Sequence, residues 1–188
     1  MLCGHNAAWT SVQVRMMDGQ TRNIQQGVSQ EGTMAVQEQT GTFVPADEGK
    51  RVSFLGQLFT YKVLGESDAV SIFELVTPPQ NGAAPHLHPK QDETHYILAG
   101  EYTFMLAGRE VSAGPGSIVF VPKGTVHAFT NVGSQDGTIL FIETPAGPLE
   151  QWLLESGEAG GEANLAQLVE AGKRSGAIEF VVLGQAGS

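Results

Sequence analysis

The chain has 188 residues, of which 41% are hydrophobic, and a formal net charge of −10 at pH 7. This length allows one domain with an apolar core, and the acidic charge argues against nucleic acid or anionic membrane as partner, because both need basic surface. One cysteine excludes an intramolecular disulfide, and no signal peptide or membrane-spanning run is evident, so we expect a soluble, cytoplasmic protein.

Three segments follow one another along the chain. Residues 1–41 are polar, which predicts an extended arm that packs on a neighbour, or poorly ordered chain. Residues 42–147 are short β-rich runs separated by Gly, Pro, Asn and Asp, a pattern typical of an all-β sandwich or barrel. Residues 148–188 carry two stretches with helical spacing, joined by the flexible GEAGGE, and end in AIEFVVLG, either a strand or a packed extended tail.

The β-rich segment holds four of the five histidines of the chain. His86 and His88 point to the same side of a strand, about 7 Å apart. Glu93 begins the following strand, and a Pro-Lys-Gly turn precedes His127. Three nitrogens and one oxygen suit Fe, Mn, Co, Ni, Cu or Zn, so these four residues are candidate ligands of one divalent metal with a position open to substrate or dioxygen. The alternative, a purely structural role, fits a lone histidine better than this group.

These spacings resemble the two signatures of the cupin superfamily. The first, HxH, four residues, Glu, six residues, Gly, is met by His86, His88, Glu93 and Gly100. The second, Gly, five residues, PxG, two residues, His, three residues, Asn, is met by Gly116, Pro122, Gly124, His127 and Asn131. One loop glycine departs from the pattern, because Gly82 lies closer to the HxH pair than usual. The resemblance implies an antiparallel double-stranded β-helix that holds its metal inside through the same four side chains.

The segment is further similar to single-domain bacterial cupins that resemble quercetin 2,3-dioxygenases. In that group the metal binds a deprotonated enol or flavonol oxygen, dioxygen adds to the ring, and the ring opens with loss of carbon monoxide. The resemblance implies a dioxygenase for a flavonol or a related enolisable aromatic or diketone, with Glu93 as ligand and base, and a homodimer. Cupins also include lyases and isomerases of small acids or sugars and non-catalytic binding proteins, and these stay as alternatives.

Further residues belong to the predicted pocket. His95 lies two positions after Glu93 and turns to the same interior, as a fifth metal contact, a donor to substrate, a proton shuttle or a pocket-lining ring. Glu143 is buried or exposed depending on the strand register. The flanking strands supply aromatic side chains that either form core or accept a flat aromatic substrate. They are Tyr102, Phe104, Phe120, Phe129 and Phe141.

Overall fold

The structure is a computed structural model that describes residues 41–64, 68–158 and 165–181, together with two strands nearer the amino terminus. The chain separates into two compact units, Met1–Gly41 and Thr42–Ser188. In the first unit, β1 (Val12–Arg15) and β2 (Thr21–Ile24) form an antiparallel pair. The rest of the predicted arm, most of GEAGGE and the end of AIEFVVLG lie outside the described residues, so those predictions stay predictions.

The second unit contains eleven strands and two helices among its described residues. The strands are β3 (Lys50–Phe54), β4 (Gln57–Leu64), β5 (Ser71–Thr77), β6 (Gly82–Leu87), β7 (Asp92–Ala99), β8 (Tyr102–Leu106), β9 (Arg109–Ala113), β10 (Ile118–Val121), β11 (His127–Asn131), β12 (Gly137–Thr144) and β13 (Glu179–Phe180). Antiparallel pairing orders them as β10-β7-β12-β5-β4-β3 in one sheet and β13-β6-β11-β8-β9 in the other. The predicted antiparallel double-stranded β-helix is confirmed.

The core lies between the two sheets, because each strand turns alternate side chains toward the other sheet. Along β7, for example, Glu93, His95 and Ile97 are buried, whereas their neighbours are more exposed. Aromatic rings fill much of the interior: Phe73 stacks on Phe141 with centroids 4.9 Å apart. Polar side chains at the centre of this core therefore need a specific reason to be there.

Two helices follow β12, as the helical spacing predicts. They are α1 (Pro148–Glu158) and α2 (Leu165–Ser175). At the start of α1 the Glu150 carboxylate accepts a hydrogen bond from the Gly147 N–H at 2.8 Å, a local cap of the helix start. Lys173 and Arg174 occupy the last turn of α2, where cations stabilise a helix end. Within the part of the chain that the structure describes, neither helix has the length and apolarity needed to cross a bilayer.

Candidate metal centre

Two paired strands of one sheet and the start of a strand in the other sheet bring the candidate ligands together. His86 on β6 pairs directly with His127 on β11, and His88 follows β6 by one residue. Glu93 enters from β7 in the opposite sheet. All four side chains are buried, and one donor atom of each lies within 4.8 Å of the others. The structure therefore brings together the four side chains that the sequence singled out, as a group that could hold a metal ion.

Backbone carbonyls orient the three imidazoles. Nδ1 lies 2.7 Å from Ala84 O in His86, 2.7 Å from Ala177 O in His88 and 3.0 Å from Thr125 O in His127. Because a carbonyl oxygen can only accept, each Nδ1 carries the proton and donates it. In the neutral form of each ring, Nε2 then offers its lone pair to a metal, and Nε2 of His88 and His127 is buried without a hydrogen-bond partner. This is how metal-binding histidines are usually held.

The Glu93 carboxylate lies among these Nε2 atoms. Its Oε1 is 3.3 Å from His88 Nε2, and its Oε2 is 2.8 Å from His127 Nε2. Burial alone would raise the pKa of Glu93, but the charges and hydrogen bonds of the surrounding imidazoles hold it well below its usual value. Burial, together with His127 and His88, lowers the pKa of His86 to about 3. An anionic oxygen beside a neutral imidazole is the protonation state in which such groups bind a cation.

His95 is a partner of Glu93 and does not belong to the four-donor group. Its Nε2 lies 3.3 Å from Glu93 Oε2, and its side chain is fully buried. The ring packs 4.3 Å from Phe141 and 5.4 Å from Phe104, measured between centroids. Burial lowers the pKa of His95 more than the neighbouring carboxylate raises it. The structure thus places His95 in contact with the Glu93 carboxylate, a role that the sequence analysis did not list.

A cavity of about 450 Å³ adjoins the cluster. His86, His88 and Glu93 line it, and so does Glu143. The remaining wall is mostly apolar and comes from both sheets and the C-terminal segment. Its large side chains are Phe54, Leu55, Phe59, Phe73, Leu75, Phe129, Phe141, Leu149, Trp152, Leu153, Val169, Ile178 and Phe180. Among the described lining residues there is no lysine or arginine. Such a volume accommodates a ligand the size of a small aromatic compound.

The predicted aromatic wall is partly corrected by the structure. Phe129 and Phe141 line the cavity. Tyr102 and Phe104 are buried in the core but do not line it. Phe120 is 57% exposed on the outer face of β10, where Val119 and Val121 point inward instead. The assignment of Phe120 to the pocket was wrong because β10 is apolar on both faces, so its sequence does not reveal which residues face inward.

The sequence analysis did not predict the buried polar network that lies beside the cavity. Glu143 pairs in register with Glu93, and its Oε1 has no hydrogen-bond partner. Gln91 Nε2 lies within 3.4 Å of carboxylate oxygens of Glu143 and Glu150, and Gln91 Oε1 accepts from Leu149 N–H at 3.1 Å. Burial, followed by the charges of Glu93 and Glu150, raises the pKa of Glu143 well above its usual value. Two signals could have found this network: Gln91 has the same parity as Glu93, and Glu150 stands at a helix-capping position.

Comparisons with known proteins agree with this architecture. Residues 73–143 match the family profile described as Cupin domain. Over 94 residues the chain is 31% identical to endoribonuclease YbeY of Myxococcus xanthus, covering 50% of this chain and 30% of that protein. Over 65 residues it is 34% identical to an oxalate-binding protein of Thermotoga maritima, covering 35% and 54%. Over 52 residues it is 35% identical to quercetin 2,3-dioxygenase of Bacillus subtilis, covering 28% and 15%.

A solved structure shows the same fold. KdgF from Halomonas sp. superposes with a TM-score of 0.52 at 19% identity, covering 56% of this chain and 94% of that one. At this identity the likeness extends to the fold alone. The chain spans between about a sixth and about half of the length of the three curated relatives. Their activities therefore do not transfer to this chain through the matches alone.

Proposed function

We propose that this chain, which belongs to the cupin superfamily through its β-helix domain, is a metal-dependent dioxygenase of quercetinase type. Its substrate would be a flavonol or a related enolisable aromatic or diketone. The observation that carries the proposal is the position of the buried His86, His88, Glu93 and His127 cluster beside an apolar, aromatic-lined cavity, which three of the four residues line. The partial similarity to quercetin 2,3-dioxygenase supports the same reaction class.

The walls of the cavity favour an apolar substrate over a small acid or a sugar. Without lysine or arginine among its described lining residues, the cavity offers a dicarboxylate no counter-charge apart from a bound metal. A sugar would bury many hydroxyl groups against phenylalanine rings, and each unpaired hydroxyl costs free energy. A flat aromatic compound with one oxygen-bearing edge meets neither penalty, because only that edge needs polar partners.

Each residue of the cluster has a role in this reaction. His86, His88 and His127 would hold the metal through Nε2, and Glu93 through a carboxylate oxygen. When bound, the metal supplies Lewis acidity for a substrate oxygen and redox chemistry toward dioxygen. Glu93 also accepts the proton of the substrate hydroxyl, since its carboxylate is anionic and lines the cavity. Glu143 also lines the cavity and burial raises its pKa, so we assign it a hydrogen bond to the bound substrate.

Oxygen uptake tests the reaction. The metal-free chain is loaded in turn with Fe, Mn, Co, Ni, Cu or Zn and given a panel of flavonols and 1,3-diketones. We expect consumption of one dioxygen per substrate with at least one metal, and release of one carbon monoxide per flavonol. Flavonols methylated at the enolic hydroxyl serve as controls and are expected to be inert, because they have no proton for Glu93 to take.

Three outcomes would contradict the proposal. If no metal and substrate combination consumed oxygen, the dioxygenase reaction would be rejected. Turnover of a small acid or sugar under nitrogen would establish the non-oxidative lyase or isomerase instead. A small molecule retained through purification without turnover under any gas would indicate a binding protein. The similarity to an oxalate-binding protein supports this alternative.

The variant His95→Phe tests whether His95 orients Glu93. Phenylalanine keeps a flat ring against Phe104 and Phe141 but removes the contact with Glu93 Oε2. We expect metal to be retained and turnover to fall by about 10- to 100-fold, in the range of a lost supporting contact to a ligand. Steady-state rates normalised to bound metal measure this effect. Unchanged turnover would assign His95 to packing alone.

A further inference from the structure

The three candidate histidine ligands differ in where their orienting carbonyl comes from. His86 and His127 each use the carbonyl two residues earlier in sequence, Ala84 O within β6 and Thr125 O just before β11. His88 uses Ala177 O, which is 89 residues away in sequence. Two of the imidazoles are thus oriented by carbonyls two residues away in sequence. The third depends on the segment that follows α2.

That segment is held against β6 by backbone hydrogen bonds. β13 pairs with β6, with Phe180 opposite His86 and Glu179 opposite Leu87. At the outer end, Val181 N–H donates to Pro85 O at 2.8 Å. At the inner end, next to α2, Ala177 N–H donates to Gly172 O at 2.9 Å, so the last turn of α2 fixes the position of Ala177. The Ala177 carbonyl therefore has a defined position relative to His88.

The end of α2 fits closely against this segment. A Cβ added at Gly172 would lie 2.5 Å from Ile178 Cγ2 and 3.2 Å from the indole of Trp152. The first distance is shorter than real Cβ contacts, and a branched methyl close to the backbone cannot swing away. Only glycine at this position lets α2 lie close enough to place residues 177 and 178 beside His88.

We propose that residues 172–181 are a positioning element of the metal centre, which selects the Nδ1–H tautomer of His88 through the Ala177 carbonyl and aims Nε2 at the shared cation site. The proposal rests on the metal site of the proposed function, but not on the oxygenase reaction. It assigns the C-terminal segment a part in metal binding, although none of its residues is a candidate ligand. Supporting hydrogen bonds of this kind change metal affinity by about 10- to 100-fold.

The variant Gly172→Ala tests the proposal, with Gly147→Ala as matched control. Alanine is the better helix former, so any loss comes from the contact with Ile178 and not from helix propensity. At Gly147 an added Cβ meets nothing within 4 Å. Two readouts are used on the full chain: the tautomer of His88 by NMR of ¹⁵N-histidine-labelled, metal-free protein, and the affinity and visible absorption of Co²⁺. Circular dichroism checks the fold.

In Gly172→Ala we expect a mixed His88 tautomer, Co²⁺ affinity lower by about 10- to 100-fold and a changed Co²⁺ spectrum. Gly147→Ala should match the wild type in all three. The double variant Gly172→Ala, Ile178→Ala should recover most of the affinity, because it removes the methyl group that the new Cβ would meet. A folded Gly172→Ala protein with wild-type tautomer and affinity would overturn the proposal.

A second variant covers the case in which Gly172→Ala does not fold. Val181→Pro removes the hydrogen bond to Pro85 O at the outer end of the segment and leaves the core untouched. We expect changes of the same sign, and unchanged readouts would reject the positioning role. A wild-type chain that bound no Co²⁺ would instead reject the metal centre, while the tautomer measurement would still decide whether Ala177 orients His88.

Discussion

Replacing His127 with alanine is expected to lower the affinity of the chain for a divalent metal by about a hundredfold or more. Removing a contact that merely supports a ligand costs about 10- to 100-fold, and removing the ligand itself should cost at least as much. His127 is also the closest imidazole to the carboxylate, with Nε2 2.8 Å from Glu93 Oε2. The substitution therefore removes one donor atom and also takes away the imidazole that lies closest to the Glu93 carboxylate.

The measurement is a Co²⁺ or Zn²⁺ titration of metal-free protein, followed by calorimetry or absorption. Thr130→Ala is the control, because Thr130 lies on the same strand and, unlike His127, is neither buried nor part of the cluster. It should bind metal like the wild type. If a folded His127→Ala variant also bound metal with wild-type affinity, the proposed metal site of four residues from two sheets would be rejected.

Much of this site could be predicted because the residues of each motif lie close together in the sequence. His86 and His88 face the same way in any extended chain, and the turn before His127 is visible as Pro-Lys-Gly. The strands and both helices follow from short β-rich runs and helical periodicity. These features depend on residues within about ten positions of one another, so they can be predicted from the sequence alone.

Other parts of the site depend on contacts between distant residues. The hydrogen bond from His88 to Ala177 joins positions 89 apart, and no local pattern indicates it. Glu143 faces Glu93 only because β12 and β7 pair in one particular register, and a slip of one residue would turn it outward. The exposure of Phe120 follows from the parity of a strand with apolar residues on both faces. Register and parity are set by the folded sheet.

Changing Glu93 to glutamine is expected to leave measurable metal binding but to reduce turnover per bound metal by about 10²- to 10⁴-fold, the usual contribution of a general base. The amide oxygen can still coordinate, so the site is not dismantled. What disappears is the negative charge that lies between His88, His95 and His127 and the capacity to accept a proton from the substrate.

The same substitution at Glu143 provides the matched comparison. Glu143 lines the same cavity and faces Glu93 across paired strands, but burial raises its pKa, whereas the imidazoles lower the pKa of Glu93. Glutamine imitates a neutral carboxylic acid and not a carboxylate. Glu143→Gln should therefore keep most of the turnover that Glu93→Gln loses, with rates measured at equal metal occupancy. Equal losses in the two variants would show that the carboxylates do not differ in charge, and Glu93 would then lose its assignment as the base.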